Sequence, residues 1–267
     1  MSTPLELLFE KVKSKNRAAL IAYIPAGFPT QAGCAKVIRA LAEAGVDAIE
    51  IGYPYSDPVM DGPTIQEAAE ISLKGGTTAA DVFAALKVAS STGVAAVVMT
   101  YWNPIEKYGV DSFAQSIFEN GGSGVITPDL TIEESGRWLE ATSKYAINPI
   151  YVVAPSTSDA RLAEVTSKAG GFVYAASVMG VTGARANISV DASALVTRVR
   201  KVTHLPVSVG LGVSTRAQAK DVAAYADGVI VGSAFIKLLL EAKSEQEGVE
   251  KISYLAKELA LGVREGR

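Results

Sequence analysis

Residues 48–66 read Ala48-Ile-Glu-Ile-Gly-Tyr-Pro-Tyr-Ser-Asp-Pro-Val-Met-Asp-Gly-Pro-Thr-Ile-Gln66, a short apolar run that breaks into a turn rich in Pro and Gly. The run Ala48–Gly52 is apolar almost throughout, as expected of a parallel strand covered on both faces. Its one polar member is Glu50. Alternation along a strand sends Ile49 and Ile51 to one face and Ala48, Glu50 and Gly52 to the other.

Comparable runs recur along the chain, at Ala19–Ile24, Ala95–Thr100, Gly124–Thr127, Pro149–Val153, Phe172–Ala175, Val207–Val209 and Gly228–Val231. Helix starts are legible between them. Thr78 with Asp81, Thr131 with Glu134, Thr215 with Gln218 and Ser244 with Glu247 each resemble a capping box or a near variant of one. Eight strands alternating with helices predict a closed (β/α)₈ barrel of the TIM type. The competing fold is an open, doubly wound sheet, but no Gly-rich fingerprint follows the first strand. The first residues, Met1 to Lys13, carry Glu6 and Glu10 and show helical spacing at Leu5, Leu8, Phe9 and Val12. They predict an extra helix closing the bottom of the barrel rather than a signal peptide. No linker, low-complexity tract or charge block divides residues 1–267, so the expectation is a single barrel domain.

Composition excludes several function classes. The chain has 267 residues, 49% of them hydrophobic, which is ample for a large core. A net charge of −3 with scattered basic residues argues against nucleic-acid binding. The longest apolar stretch, Gly228 to Leu240, contains Ser233 and Lys237 and is too short to span a membrane. A single cysteine, Cys34, excludes an internal disulfide and suits a reduced, cytoplasmic protein; it reads as a small buried helix residue. One histidine, His204, reads as a loop residue, and leaves a His-based triad or a metal site almost nothing to be built from.

Glu50 faces the barrel interior, where a glutamate needs a partner or a task. It is either a structural ion pair with a buried Arg or Lys or a proton-transfer group. Asp61 follows in the loop, and two carboxylates at the end of one strand can divide acid–base work; before Gly62-Pro63 it is equally an ordinary turn residue. Asp57 leans to the turn reading. Barrel sites form where strands end, so Glu50, Asp61 and Tyr174 can reach one mouth. Glycine-bearing turns follow the last three strands: Gly180-Val-Thr-Gly-Ala-Arg185, Gly210-Leu-Gly-Val213 and Gly232-Ser233, the last running directly into a helical segment. Free backbone N–H groups at such places bind phosphate. The stretch Met179–Asn187 reads as a mobile lid, or Thr182 and Arg185 are solvated loop residues.

Together these residues resemble one family, the α subunit of tryptophan synthase. The likeness rests on Glu50 to Gln66, Tyr101-Trp-Asn-Pro-Ile105, Thr127-Pro-Asp-Leu130, Phe172-Val-Tyr-Ala-Ala-Ser177, Gly180-Val-Thr-Gly183, Gly210-Leu-Gly-Val213 and Gly228-Val-Ile-Val-Gly-Ser233. It implies retro-aldol cleavage of indole-3-glycerol phosphate to indole and glyceraldehyde 3-phosphate. By the same resemblance Glu50 moves the protons, and Asp61 accepts the indole N–H and stabilises charge developing on the ring. Tyr23, Tyr101, Tyr174 and Leu211 line the substrate; Gly183, Gly212, Gly232 and Ser233 hold its phosphate; Thr182 closes towards Asp61. The family works as an αββα complex, which implies a β-subunit partner facing Asp57, Asn103 and Pro104. Pyridoxal phosphate is then on that partner, with no cofactor and no metal in this chain. Tyr53, Tyr55 and Trp102 either join that interface or pack in the barrel mouth. Phe28, Met60, Thr131 and Leu211 depart from residues frequent in the family. Two other readings stand beside this one, a different phosphate-binding barrel enzyme and a non-catalytic activating subunit. The absence of lysines at the strand ends counts against the first, and the presence of both carboxylates against the second.

Overall fold

The computed structural model describes residues 2–176, 185–210 and 212–267. Nine parallel strands form one sheet: β1 (Ala19–Pro25), β2 (Ala48–Gly52), β3 (Ala95–Met99), β4 (Gly124–Ile126), β5 (Asn148–Ile150), β6 (Val152–Val153), β7 (Val173–Ala176), β8 (Val207–Gly210) and β9 (Gly228–Val231). Their order is β5-β4-β3-β2-β1-β9-β8-β7-β6. The two outer members of that order, β5 and β6, are consecutive in the chain. They are halves of one barrel position, divided at Tyr151, with β5 paired to β4 and β6 to β7. The barrel therefore closes along the covalent chain, and the eight expected strands become nine hydrogen-bonded segments. Across the split the Tyr151 carbonyl accepts the Tyr174 amide at 3.1 Å and the Ile150 carbonyl accepts the Thr127 amide at 3.3 Å.

Strand alternation divides the apolar residues into two shells. Ala19, Ile21, Ala48, Val97, Ile126, Ile150, Phe172 and Ile230 fill the barrel interior. The opposite faces pack under the surrounding helices in a larger, separate core. The N-terminal helix Pro4–Ser14 joins the interior shell through Leu5, Phe9 and Val12, all buried, with the Phe9 ring 5.6 Å from that of Phe172. It closes the barrel floor as its periodicity predicts. A reciprocal Thr3–Glu6 capping box starts it.

At the same end two aspartates fasten neighbouring strands in one repeated geometry. Asp47, one residue before β2, accepts the Leu20 amide of β1 at 3.0 Å and a bidentate Arg17 at 2.7 Å. Asp227, one residue before β9, accepts the Val207 amide of β8 at 2.9 Å together with Arg200 and Arg267.

The expected capping residues open helices at Thr78, Thr215 and Ser244. Thr131 does not. It lies in a turn in which its carbonyl accepts the Glu134 amide, and the helix Gly136–Lys144 begins after Ser135. Cys34 is buried in the helix Gln31–Glu43, and His204 sits between elements.

Candidate active site

The barrel register places Tyr23 of β1, Glu50 of β2 and Val97 of β3 side by side, and Tyr174 of β7 beside Ser208 of β8. Glu50 is 1% exposed. It makes no salt bridge among the described residues, and its Oε2 is buried without a hydrogen-bond partner there. Among the described residues no Arg or Lys makes the structural ion pair that is the other reading of Glu50. Burial, followed by the charge of Asp61, raises its pKa from 4.5 to about 8. A carboxyl in that state carries its proton at neutral pH and can donate it.

Asp61 is raised too, by burial, while a hydrogen bond from the Tyr101 hydroxyl pulls it back down. The two acids therefore differ in what acts on them: burial and the charge of Asp61 raise Glu50, while burial raises Asp61 against one hydrogen-bond donor. Tyr23 and Tyr174 feel both carboxylates, and burial foremost lifts each phenol well above its ordinary value. Both remain protonated, as hydrogen-bond donors and ring surfaces rather than bases.

Close approach explains the glycines of this mouth. A Cβ on Gly52 would lie 2.3 Å from the Tyr23 hydroxyl, one on Gly210 would lie 2.6 Å from the Tyr174 hydroxyl, and one on Gly232 would lie 3.2 Å from the Tyr23 Cβ. The glycines at the ends of β2 and β8 leave room for phenol rings. Gly232 directly follows β9 and precedes the helix Ser233–Leu240, whose first amides have no acceptor within the helix. Gly212 has φ of 67°, a left-handed conformation that suits glycine. Thr182, Gly183, Leu211 and the side chain of Arg185 lie outside the described residues.

The loop after β2 forms the rim. Asp57 is exposed and accepts its neighbour Ser56's hydroxyl at 2.6 Å. Asn103 is exposed and donates to the Tyr55 hydroxyl at 2.9 Å. Pro104, expected on the same surface, is instead buried in the helix Trp102–Tyr108. Tyr55 packs on Tyr101 with ring centroids 5.3 Å apart, while Trp102 packs edge-on at 6.2 Å against Trp138 of the outer core. Sequence reading missed Asp129. Its carboxylate accepts the Trp102 amide at 2.9 and 3.1 Å, capping that helix from another loop. The only signal was its place in Thr127-Pro-Asp-Leu130, one of the family-like motifs.

Elsewhere, surface cavities of about 670 Å³ and 490 Å³ lie beside the helix Glu245–Glu265 and under the barrel floor. Neither contains this carboxylate pair. Among the described residues no cluster of His, Cys, Asp or Glu could hold a metal ion, and no helix is long and apolar enough to cross a membrane.

The family model described as tryptophan synthase alpha chain matches residues 9–264. The chain belongs to the tryptophan synthase alpha chain family. The alpha chain of Streptomyces avermitilis is 54% identical over 255 residues, covering 95% of this chain and 92% of that one. The alpha chain of Streptomyces coelicolor is 52% identical and covers 99% of both. Among solved structures, Mycobacterium tuberculosis tryptophan synthase superposes with a TM-score of 0.91 at 48% identity over 99% of each chain. The alpha subunit from Legionella pneumophila gives 0.90 at 30% identity over 98% of this chain and 99% of that one. The family's reaction is the lyase half of tryptophan synthesis, cleavage of indole-3-glycerol phosphate, and its cofactor, pyridoxal phosphate, belongs to the beta subunit.

Proposed function

We infer that this barrel cleaves indole-3-glycerol phosphate, with Glu50 moving the protons and Asp61 holding the ring nitrogen. The observation that supports the reading is a Glu50 that keeps its proton at neutral pH, its Oε2 without a partner among the described residues, beside a second carboxyl group with a hydrogen-bond donor in Tyr101. Glu50 donates its proton to C3 of the indole ring, leaving a cationic indolenine whose N–H is held by Asp61. The glycerol hydroxyl next to the ring then returns a proton to the Glu50 carboxylate. Its oxygen becomes the aldehyde, the bond to C3 breaks, and the bonding electrons restore the indole. Protons and electrons balance within the substrate and one carboxyl group.

Asp61 acts on charge that exists only as the ring is protonated, which is where electrostatic catalysis is most effective. Tyr23, Tyr174, Tyr101 and Leu211 would line the indole. Gly183, Gly212, Gly232 and Ser233 would receive the phosphate on backbone amides and a hydroxyl, with Thr182 closing over the site. The exposed rim at Asp57 and Asn103 would face a beta subunit carrying pyridoxal phosphate. The whole chain would work as one barrel domain in the cytoplasm.

Turnover of the isolated chain on indole-3-glycerol phosphate tests this directly. We expect slow but measurable release of indole, and a loss of about 10²–10⁴ in rate for Glu50→Gln with substrate still bound. A purely regulatory subunit would release none, and near-normal turnover of the variant would remove Glu50 from its role.

A further inference from the structure

The loop that carries Asp61 has little of its own to hold it. Val59 is 76% exposed and Met60 46%. Two tethers reach its end. Gln66 Nε2 donates to the Asp61 carbonyl at 2.8 Å, and the Met60 amide donates to the Tyr101 hydroxyl oxygen at 3.0 Å. The Tyr101 hydroxyl also acts on the Asp61 side chain, as a donor that lowers a pKa which burial raises. A phenol has one proton to give and lone pairs to receive, so one hydroxyl grips two successive residues, the first by its backbone and the second by its side chain.

We propose that Tyr101 is the positioning residue for Asp61, its hydroxyl setting the direction of that carboxylate in the barrel mouth. The tyrosine is itself immobilised. It is 4% exposed, its ring packs on Tyr55, and Tyr55 is tied to Asn103. The Thr100 hydroxyl bonds the Tyr101 carbonyl at 3.1 Å, and Asp129 fixes the next residue through the Trp102 amide. The chain of contacts runs from Asp129 through the start of the helix Trp102–Tyr108 to Tyr101, and from there to Asp61. An apolar side chain of similar size would fill the same space and leave the Met60 amide and the Asp61 carboxylate without this partner. The hydroxyl also opposes burial: a donor to the ionised form favours the Asp61 anion against the desolvation that raises its pKa. The inference rests on the proposed function insofar as that anion receives the indole N–H.

Tyr101→Phe keeps the ring and its Tyr55 contact and removes only the hydroxyl. The expected result is a fall of about tenfold in kcat/KM. The acid limb of the pH profile should move to higher pH, while the basic limb set by Glu50 stays in place. In the free chain, without substrate, the Asp61 carboxylate followed by ¹³C NMR should titrate at higher pH in the variant than in the unmodified protein. In an Asp61→Asn background the same substitution should cost little further. An unmoved Asp61 titration, or a rise in KM alone with both limbs unchanged, overturns the proposal. The titration needs no turnover. A shifted Asp61 in a chain inactive on indole-3-glycerol phosphate would support the tether and sink the substrate reading alone.

Discussion

Among the described residues Glu50 pairs with no base and the charge acting on it is that of another acid, so its protonation state governs both stability and chemistry. Its folded-state pKa, about 8, lies above the ordinary value of 4.5. The protonated form therefore stabilises the fold fully below about pH 4.5, and that contribution is lost as the pH rises through 8. The difference corresponds to roughly 4–5 kcal/mol as an upper bound. Glu50→Gln should be nearly as stable as the unmodified chain at pH 5 and clearly more stable at pH 9, in urea melts at the two values. A stability gap that does not grow with pH would mean that Glu50 is not held neutral. The same state shapes the rate. We expect kcat/KM to rise as Asp61 ionises and to fall as Glu50 loses its proton near pH 8, giving a bell. Both acids were legible in the sequence because a glutamate on the inward face of an apolar strand breaks the pattern around it. Their unequal states were not, because desolvation and the Tyr101 donor come from residues remote in sequence.

At the scale of elements, periodicity located the strands and the floor helix because each presents an apolar face to a shell of the core. It failed where a local signal had no tertiary support. Thr131 and Glu134 have capping-box spacing, yet the segment between them is a turn and the helix waits until Gly136. Pro149 and Tyr151 read as one strand with their neighbours, but hydrogen bonds on the two sides of that strand belong to different partners and divide it. The Asp47 and Asp227 fasteners were invisible, since each depends on an arginine and an amide brought up by folding. The floor helix carries the clearest stability prediction. Phe9 is buried against Phe172, whose ring lies 6.4 Å from that of Tyr174. Phe9→Ala should cost about 3–5 kcal/mol through lost burial and a cavity at the barrel floor, read as a lower urea midpoint. A change below about 1 kcal/mol would show that the floor helix is a peripheral addition.

At the scale of the whole molecule, one loop serves two neighbours. The residues after β2 hold Asp61 on the inward side and expose Asp57, Val59 and Met60 on the outward side. Apolar side chains that stand in water beside the Asp61 carboxylate are well placed for coverage by a second protein. A beta subunit resting there would bury Val59 and Met60 and exclude water from the mouth. Charge interactions within it would strengthen as the local dielectric falls. Association and turnover are then linked through the same few residues, and adding the beta subunit should raise the cleavage rate. Val59→Lys places a charge at the most exposed of these apolar positions. It should weaken association by about tenfold or more. The activation curve would shift to higher beta-subunit concentration, with the rate at saturation largely retained. An unshifted curve would place the contact on another part of the rim. A curve with the same midpoint and a lower plateau would instead assign Val59 to the loop's internal order, because a residue that acts only through docking changes how much partner is needed and not what the docked complex can do.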